Sequence, residues 1–167
     1  MRWIWIDKFV EFESGRRAVA VKNVTLAEEH LHDHFPGFPV MPECLMIEAM
    51  AQTAGILVGE AKDFREKVIL AKIGKAVFFD FVRPGDSITL EARVESIAPE
   101  AASINGVIRR GEQTIAEISL MFSHIDQNLA GKKFPEENFV FTGTFTSLLR
   151  DLVLDEAASG AQDTESG

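Results

Sequence analysis

An α+β fold is predicted, with an antiparallel sheet packed around one long helix, and three observations predict it. Residues 42–59 form a run of helix formers that is apolar nearly all round, broken only by Glu43, Glu48, Gln52 and Thr53, so the helix is buried rather than amphipathic. Two β-rich runs precede it and several more follow, split by short turn signals and not by further helices. The 167 residues, 46% hydrophobic and 26% charged, suit one soluble domain with a real core.

In chain order, residues 3–13 and 16–24 read as a hairpin turning at Ser14-Gly15. In the second run Val19 and Val21 alternate with Ala18, Ala20 and Lys22, the pattern of a half-buried strand. Residues 25–42 read as a loop that opens on an acidic turn at Ala27-Glu28-Glu29. Its second part, 35–42, holds three prolines and a glycine and can be neither helix nor regular strand. Pro42 suits the first helical position, where its missing N–H is harmless. After the helix, Lys62 to Lys67 is a charged surface connection. Strands are expected over 67–73, 75–82, 87–98, 101–110 and 113–125, the later breaks falling at Pro84-Gly85-Asp86, Pro99-Glu100 and Arg110-Gly111-Glu112. Phe134, Phe139, Phe141 and Phe145 require burial, so 132–154 is expected to pack back on the domain, with a short amphipathic helix at Ser147–Leu154. Residues 155–167 are small, polar and acidic, and are expected to be disordered.

Composition narrows the function. The net charge is −9, which argues against nucleic acid. No apolar run spans a membrane, because Glu48 and Gln52 interrupt the central one. The start, MRWIWIDK, is too short and too soon charged for a signal peptide. A single cysteine fits a reducing cytoplasm.

Chemistry is expected around the helix. Glu48 and Gln52 stand four apart and share one face, and a buried carboxylate is costly unless paired, hydrogen-bonded or neutralised. His34, in the loop ahead, is of a residue type suited to proton transfer; alone it would read as a structural histidine in a turn. His30, His32 and His34 with Glu28, Glu29 and Asp33 resemble a metal cluster in composition, but a turn with solvated polar groups is the better reading, and no metal is expected. Cys44 reads as a small hydrophobe rather than a nucleophile. The pairs Arg16-Arg17, Arg109-Arg110 and Lys132-Lys133 read as solvated turn residues.

Three blocks then fit together: HFPG at 34–37, PVMP at 39–42 and EAMAQ at 48–52, with fourteen residues from His34 to Glu48. Together with VKNV at 21–24 and RPGD at 83–86, they resemble the bacterial 3-hydroxyacyl-acyl-carrier-protein dehydratases, over about Ile6 to Ile125. The resemblance implies a hot-dog domain, taken here as 1–131, and elimination of water from (3R)-hydroxyacyl thioesters to trans-2-enoyl products without cofactor. It makes His34 the base at the carbon α to the thioester. By the same resemblance Glu48 would assist the leaving hydroxyl, and Gln52 would orient Glu48. Backbone amides at Gly37, Glu43 and Cys44 would hold the thioester oxygen at the helix N-terminus.

The resemblance further implies a homodimer, or a trimer of dimers, with His34 and Glu48 meeting across the interface, and an acidic acyl carrier protein as partner. Two departures bear on this. Glu43 stands where the family usually has glycine, and Phe79, Asp80 and Phe81 stand where basic residues and proline are common. They keep open a non-catalytic hot-dog subunit that binds acyl chains or a partner enzyme. A thioesterase on the same fold fits the HFPG-to-EAMAQ block less well.

Overall fold

The computed structural model describes residues 3–125, 140, 143 and 147–149. Six strands, β1 (Lys8–Glu13), β2 (Arg17–Asn23), β3 (Val68–Phe78), β4 (Ser87–Ile97), β5 (Ala101–Arg110) and β6 (Gln113–His124), form one sheet in the order β1-β2-β4-β5-β6-β3. Every neighbouring pair is antiparallel. Between β2 and β3 the chain makes a helical turn, α1 (His30–Asp33), and the long helix α2 (Glu43–Glu60). At 18 residues, α2 runs about 27 Å. The sheet wraps it in the hot-dog arrangement.

Thirteen of the 18 residues of α2 are buried, as an apolar circumference demands. Small residues on the sheet let it seat closely. Ala18 of β2 pairs with Ala92 of β4, which pairs with Gly106 of β5. A Cβ on Gly106 would lie 2.5 Å from the Met50 sulfur, so glycine there is what lets this fully buried helix side chain reach the strand.

The structure departs from the sequence expectations at several places. Pro42 is the N-cap, with helix beginning at Glu43; its carbonyl accepts from Leu45 (3.0 Å) and Met46 (3.2 Å). The two strands expected over 67–73 and 75–82 are one strand, β3, whose register slips against β6 between Leu70 and Lys72 and between Ile73 and Lys75. Gly74 marks an irregularity in a continuous strand, not a break. β1 starts at Lys8, because the main chain of Trp3 and Trp5 bonds to a side chain of α2 instead of joining the sheet ladder.

Within the expected 25–42 loop lies α1. Strand β2 is not half-buried: Ala18 and Ala20 join the core around α2, Val19 is buried outside it, and Lys22 is buried in an ion pair with Glu28 (3.2 Å). Lys67, expected at the surface, is buried as well.

Beyond Ile125, Ser147 to Leu149 are helical, and Leu148 and Leu149 pack against the core. The remainder of the expected Ser147–Leu154 helix, the four phenylalanines between 132 and 146, and the 155–167 tail lie outside the described residues.

Candidate active site

Two structures, a loop and a helix face, carry the candidate residues. The loop closes on itself. Val40 N–H donates to the His34 carbonyl (2.9 Å), and Phe35 and Phe38 exchange main-chain bonds of 3.0 and 2.9 Å. Gly37 turns this corner at φ +76°, a conformation glycine adopts without steric cost. The His34 ring stacks on Phe35, with centroids 4.2 Å apart, and its Nδ1 lies 2.9 Å from the Val40 carbonyl. A carbonyl only accepts, so Nδ1 carries the proton and Nε2 is left as the basic nitrogen.

Met41 ties the end of this loop to Val82, just ahead of the Pro84-Gly85 turn, by a bond of 2.8 Å. Helix α2 then begins, with no side chain capping its N-terminus. Among the described residues no acceptor takes the N–H groups of Gly37, Glu43 or Cys44, and the positive end of the helix dipole lies at the latter two. Glu43 is half-buried. Cys44 is exposed and not the buried hydrophobe expected. In a first turn where Leu45 and Met46 join the core, position 44 points off it.

One turn further on, Glu48 is half-buried in the single chain, not fully buried as the all-round apolar sequence implied. Gln52 uses its whole amide: Nε2 donates to Glu48 Oε1 (2.9 Å) and to the Trp3 carbonyl (2.8 Å), and Oε1 accepts from Trp5 N–H (2.8 Å). It is thus a core amide satisfied by backbone that also donates to the carboxylate. Trp3 and Trp5 escaped the sequence reading. The available signal was that a buried glutamine on an apolar helix must find partners off the helix.

Glu48 and Gln52 line a cavity of about 300 Å³ whose other walls are apolar: Ala51, Gly55 and Ile56 of α2, the start of β3, Phe122 of β6 and Val140. His34 is not among its lining residues. Gly37 borders a different depression, beside Phe38 and Arg83. Within one chain, the structure brings Glu48 and Gln52 together and leaves His34 outside their cavity.

The three histidines go separate ways. His32 Nε2 bonds to the Leu26 carbonyl (3.0 Å), and the His30 ring packs edge-on against Trp5 at 5.2 Å with its Nε2 buried and unpartnered. Burial lowers the His30 pKa from its ordinary 6.5.

Nor are the basic pairs simply solvated. Arg17 bonds to Glu91 (2.8 Å) and Glu11, and Arg110 to Asp80 (2.6 Å) and Asp86 (3.0 Å). The Asp80 carboxyl is held below its ordinary range by the Phe81 N–H and by Arg110. Lys132-Lys133 lies outside the described residues.

With this geometry in view, the comparisons decide the family. The sequence model of the FabA-like domain matches residues 3–119. The chain belongs to the FabA-like family. It is 41% identical over 121 residues to a 3-hydroxyacyl-[acyl-carrier-protein] dehydratase FabZ of Caldanaerobacter subterraneus, covering 72% of this chain and 86% of that protein. The FabZ of Clostridioides difficile is 33% identical over 126 residues, covering 75% and 89%.

Among solved structures, the dehydratase heterocomplex ApeI:P of Xenorhabdus doucetiae superposes with a TM-score of 0.63 at 14% identity, covering 75% of this chain and 85% of that one. A conserved protein of Pseudomonas aeruginosa gives 0.59 at 19%, covering 71% and 87%. At such identities the likeness is one of fold.

Proposed function

We propose that the protein eliminates water from (3R)-hydroxyacyl chains carried on acyl carrier protein, giving trans-2-enoyl thioesters in fatty-acid or related acyl-chain synthesis. Family membership supports the reaction class, since relatives at 33–41% identity are FabZ dehydratases. The observation that carries the reading to this chain's residues is the Glu48–Gln52 pair on the wall of an apolar cavity.

In this reading His34 Nε2 takes the proton from the carbon α to the thioester, with Nδ1–H held on Val40. The released pair forms the C=C bond through an enolate-like state. The C–O bond at the β carbon breaks, and the hydroxyl leaves as water with the proton of Glu48. The uncapped N–H groups of Gly37, Glu43 and Cys44 receive the charge that develops on the thioester oxygen. No cofactor enters this scheme.

The reading needs a second chain, because His34 does not reach the Glu48 cavity of its own. An edge strand supports a homodimer. β3 lies at the end of the sheet, eleven residues long and largely exposed, with Ile73 and, on neighbouring β6, Met121 each 40% exposed or more. An edge that long and partly apolar suits pairing with a copy of itself about a two-fold axis; such dimers could further assemble in threes.

Docking of an acidic carrier is weakly steered. Lys75 pairs with Glu117 (2.7 Å) and Arg110 with two aspartates, which offsets their charge, while Arg83, 4.2 Å over the neutral Phe38 ring, keeps its own. A cytoplasmic location fits such a partner.

Glu43 favours the second reading, a subunit that binds acyl chains without turning them over. Incubation with a crotonyl thioester separates the two. Loss of enoyl absorbance as water adds in reverse marks the enzyme. Binding without absorbance change marks the other.

A further inference from the structure

One wall of the cavity beside Glu48 lies beyond the residues that the family model matches. The family match ends at residue 119, yet Val140 lines this cavity together with Glu48 and Gln52. Leu148 and Leu149, also beyond the matched range, pack against the core.

The cavity has direction. Glu48, Gln52 and Ile56 lie on successive turns of α2, so their α carbons span about 12 Å along the helix. The polar groups sit at one end, and Ala51, Gly55, Ile56, Val68 and Phe122 continue it as apolar surface. Its volume of about 300 Å³ is at the lower limit for small-molecule pockets. A carboxylate and an amide at the head of a narrow apolar channel suit a thioester whose acyl chain lies along the helix.

We propose that Val140 is a specificity-determining residue: its side chain narrows the acyl channel and limits this protein to short or medium acyl chains. The inference rests on the dehydratase reading for its substrate class, while the cavity and its wall belong to the chain whatever the reaction. It assigns length selection to one residue beyond the matched range, where enlarging or trimming a side chain moves the limit without touching His34, Glu48 or Gln52.

The test uses the full chain with Val140→Trp and Val140→Ala, assayed for hydration of crotonyl, octenoyl and dodecenoyl thioesters. A single methylene in an apolar pocket is worth about tenfold or more in discrimination. Val140→Trp should therefore lower the dodecenoyl-to-crotonyl ratio of kcat/KM about tenfold, and Val140→Ala should raise it. Two variants of opposite sign guard against misfolding of the larger one, which a melting curve reports.

If wild type turns over none of the three, the dehydratase reading fails, and equilibrium binding of saturated butyryl, octanoyl and dodecanoyl thioesters reads the channel instead, with the same order expected. Ratios unchanged in both variants overturn the proposal, as does a wild type that neither turns over nor binds any thioester. A shift in dimer dissociation with unchanged ratios would also overturn it, because a second copy would then cover this cavity.

Discussion

Around Glu48 the polar partners come from a rigid element and from a distant part of the chain: Gln52 one turn on, then the main chain of Trp3 and Trp5. Around His34 the ring is held by one bond to the Val40 carbonyl and by a stack on Phe35, itself exposed. The carboxylate is finished within the chain. The imidazole sits on a short turn, and among the described residues no hydrogen bond to its second nitrogen accompanies the one at Nδ1. Such an asymmetry fits the proposed site assembled from two copies, in which the imidazole finds its partners on the other chain. It also says which half tolerates less: a helix position set by three linked hydrogen bonds has fewer ways to relax than a loop residue set by one.

Removing either half should have the largest effect. General acid–base groups contribute about a hundredfold to ten-thousandfold in rate, so His34→Ala and Glu48→Gln should each lower kcat by that order while melting temperatures stay near wild type. Mixing the two inactive variants under subunit exchange should restore part of the activity if the halves come from different chains. No recovery after proven exchange would place both groups in one chain and end the contrast drawn above.

Next is the clamp on the carboxylate. Gln52→Ala strands the Trp5 N–H and the Trp3 carbonyl and frees Glu48. Unsatisfied groups of this kind cost about 1–3 kcal/mol, and misplacing a reacting group by about 1 Å can cost a hundredfold in rate. A loss in kcat with KM little changed is expected, along with a lower melting temperature. A variant that melts earlier but turns over normally would make Gln52 a core amide and nothing more.

The same contrast explains what was legible in the sequence. The helix, its burial and the pairing of Glu48 with Gln52 follow from composition and a spacing of four, which are local properties. In sequence Trp3 and Trp5 belong to a run of β-formers that suggests a strand; their actual partner is 47 to 49 residues away, and no local pattern carries that. Lys22 and Lys67 were misplaced for a related reason: a buried lysine is recognisable when its partner is known, and Glu28 reaches Lys22 only after the loop has folded. For β3, Gly74 alone could not distinguish a bulge from a turn. The resemblance supplied the role of His34, which in the residues alone was one histidine among three.

His30 offers a smaller test on stability, since it joins the two halves: its carbonyl accepts the His34 N–H (3.1 Å) and its ring packs on Trp5. Burial lowers its pKa below 6.5, so near neutral pH it is held uncharged in the fold. As pH falls below 6.5 the unfolded chain takes up the proton first, and stability declines until the folded-state pKa is passed. His30→Phe should flatten that part of the stability-against-pH curve. An unchanged slope would assign the acid sensitivity elsewhere.

The smallest expected effect is at Glu43, and it bears on the loop side of the comparison. Its amide is one of the N–H groups left without an acceptor at the head of α2, and its carboxylate is half-buried in the same turn. Near a developing oxyanion a carboxylate opposes the charge that the helix end favours. In the first turn of a helix, facing outward, it complements the dipole. No ion pair holds Glu43 among the described residues, so its side chain can turn to solvent without breaking a bond. Glu43→Gly and Glu43→Gln should therefore change kcat by no more than about threefold, well below the hundredfold that loss of an oxyanion donor brings. A large gain in both variants would show that the carboxylate faces the thioester and restrains the wild-type enzyme. A gain in Glu43→Gly alone would point to bulk rather than charge. An inactive wild type that Glu43→Gly leaves inactive would favour the acyl-binding subunit, because the most direct obstacle at the oxyanion site would have been removed without effect.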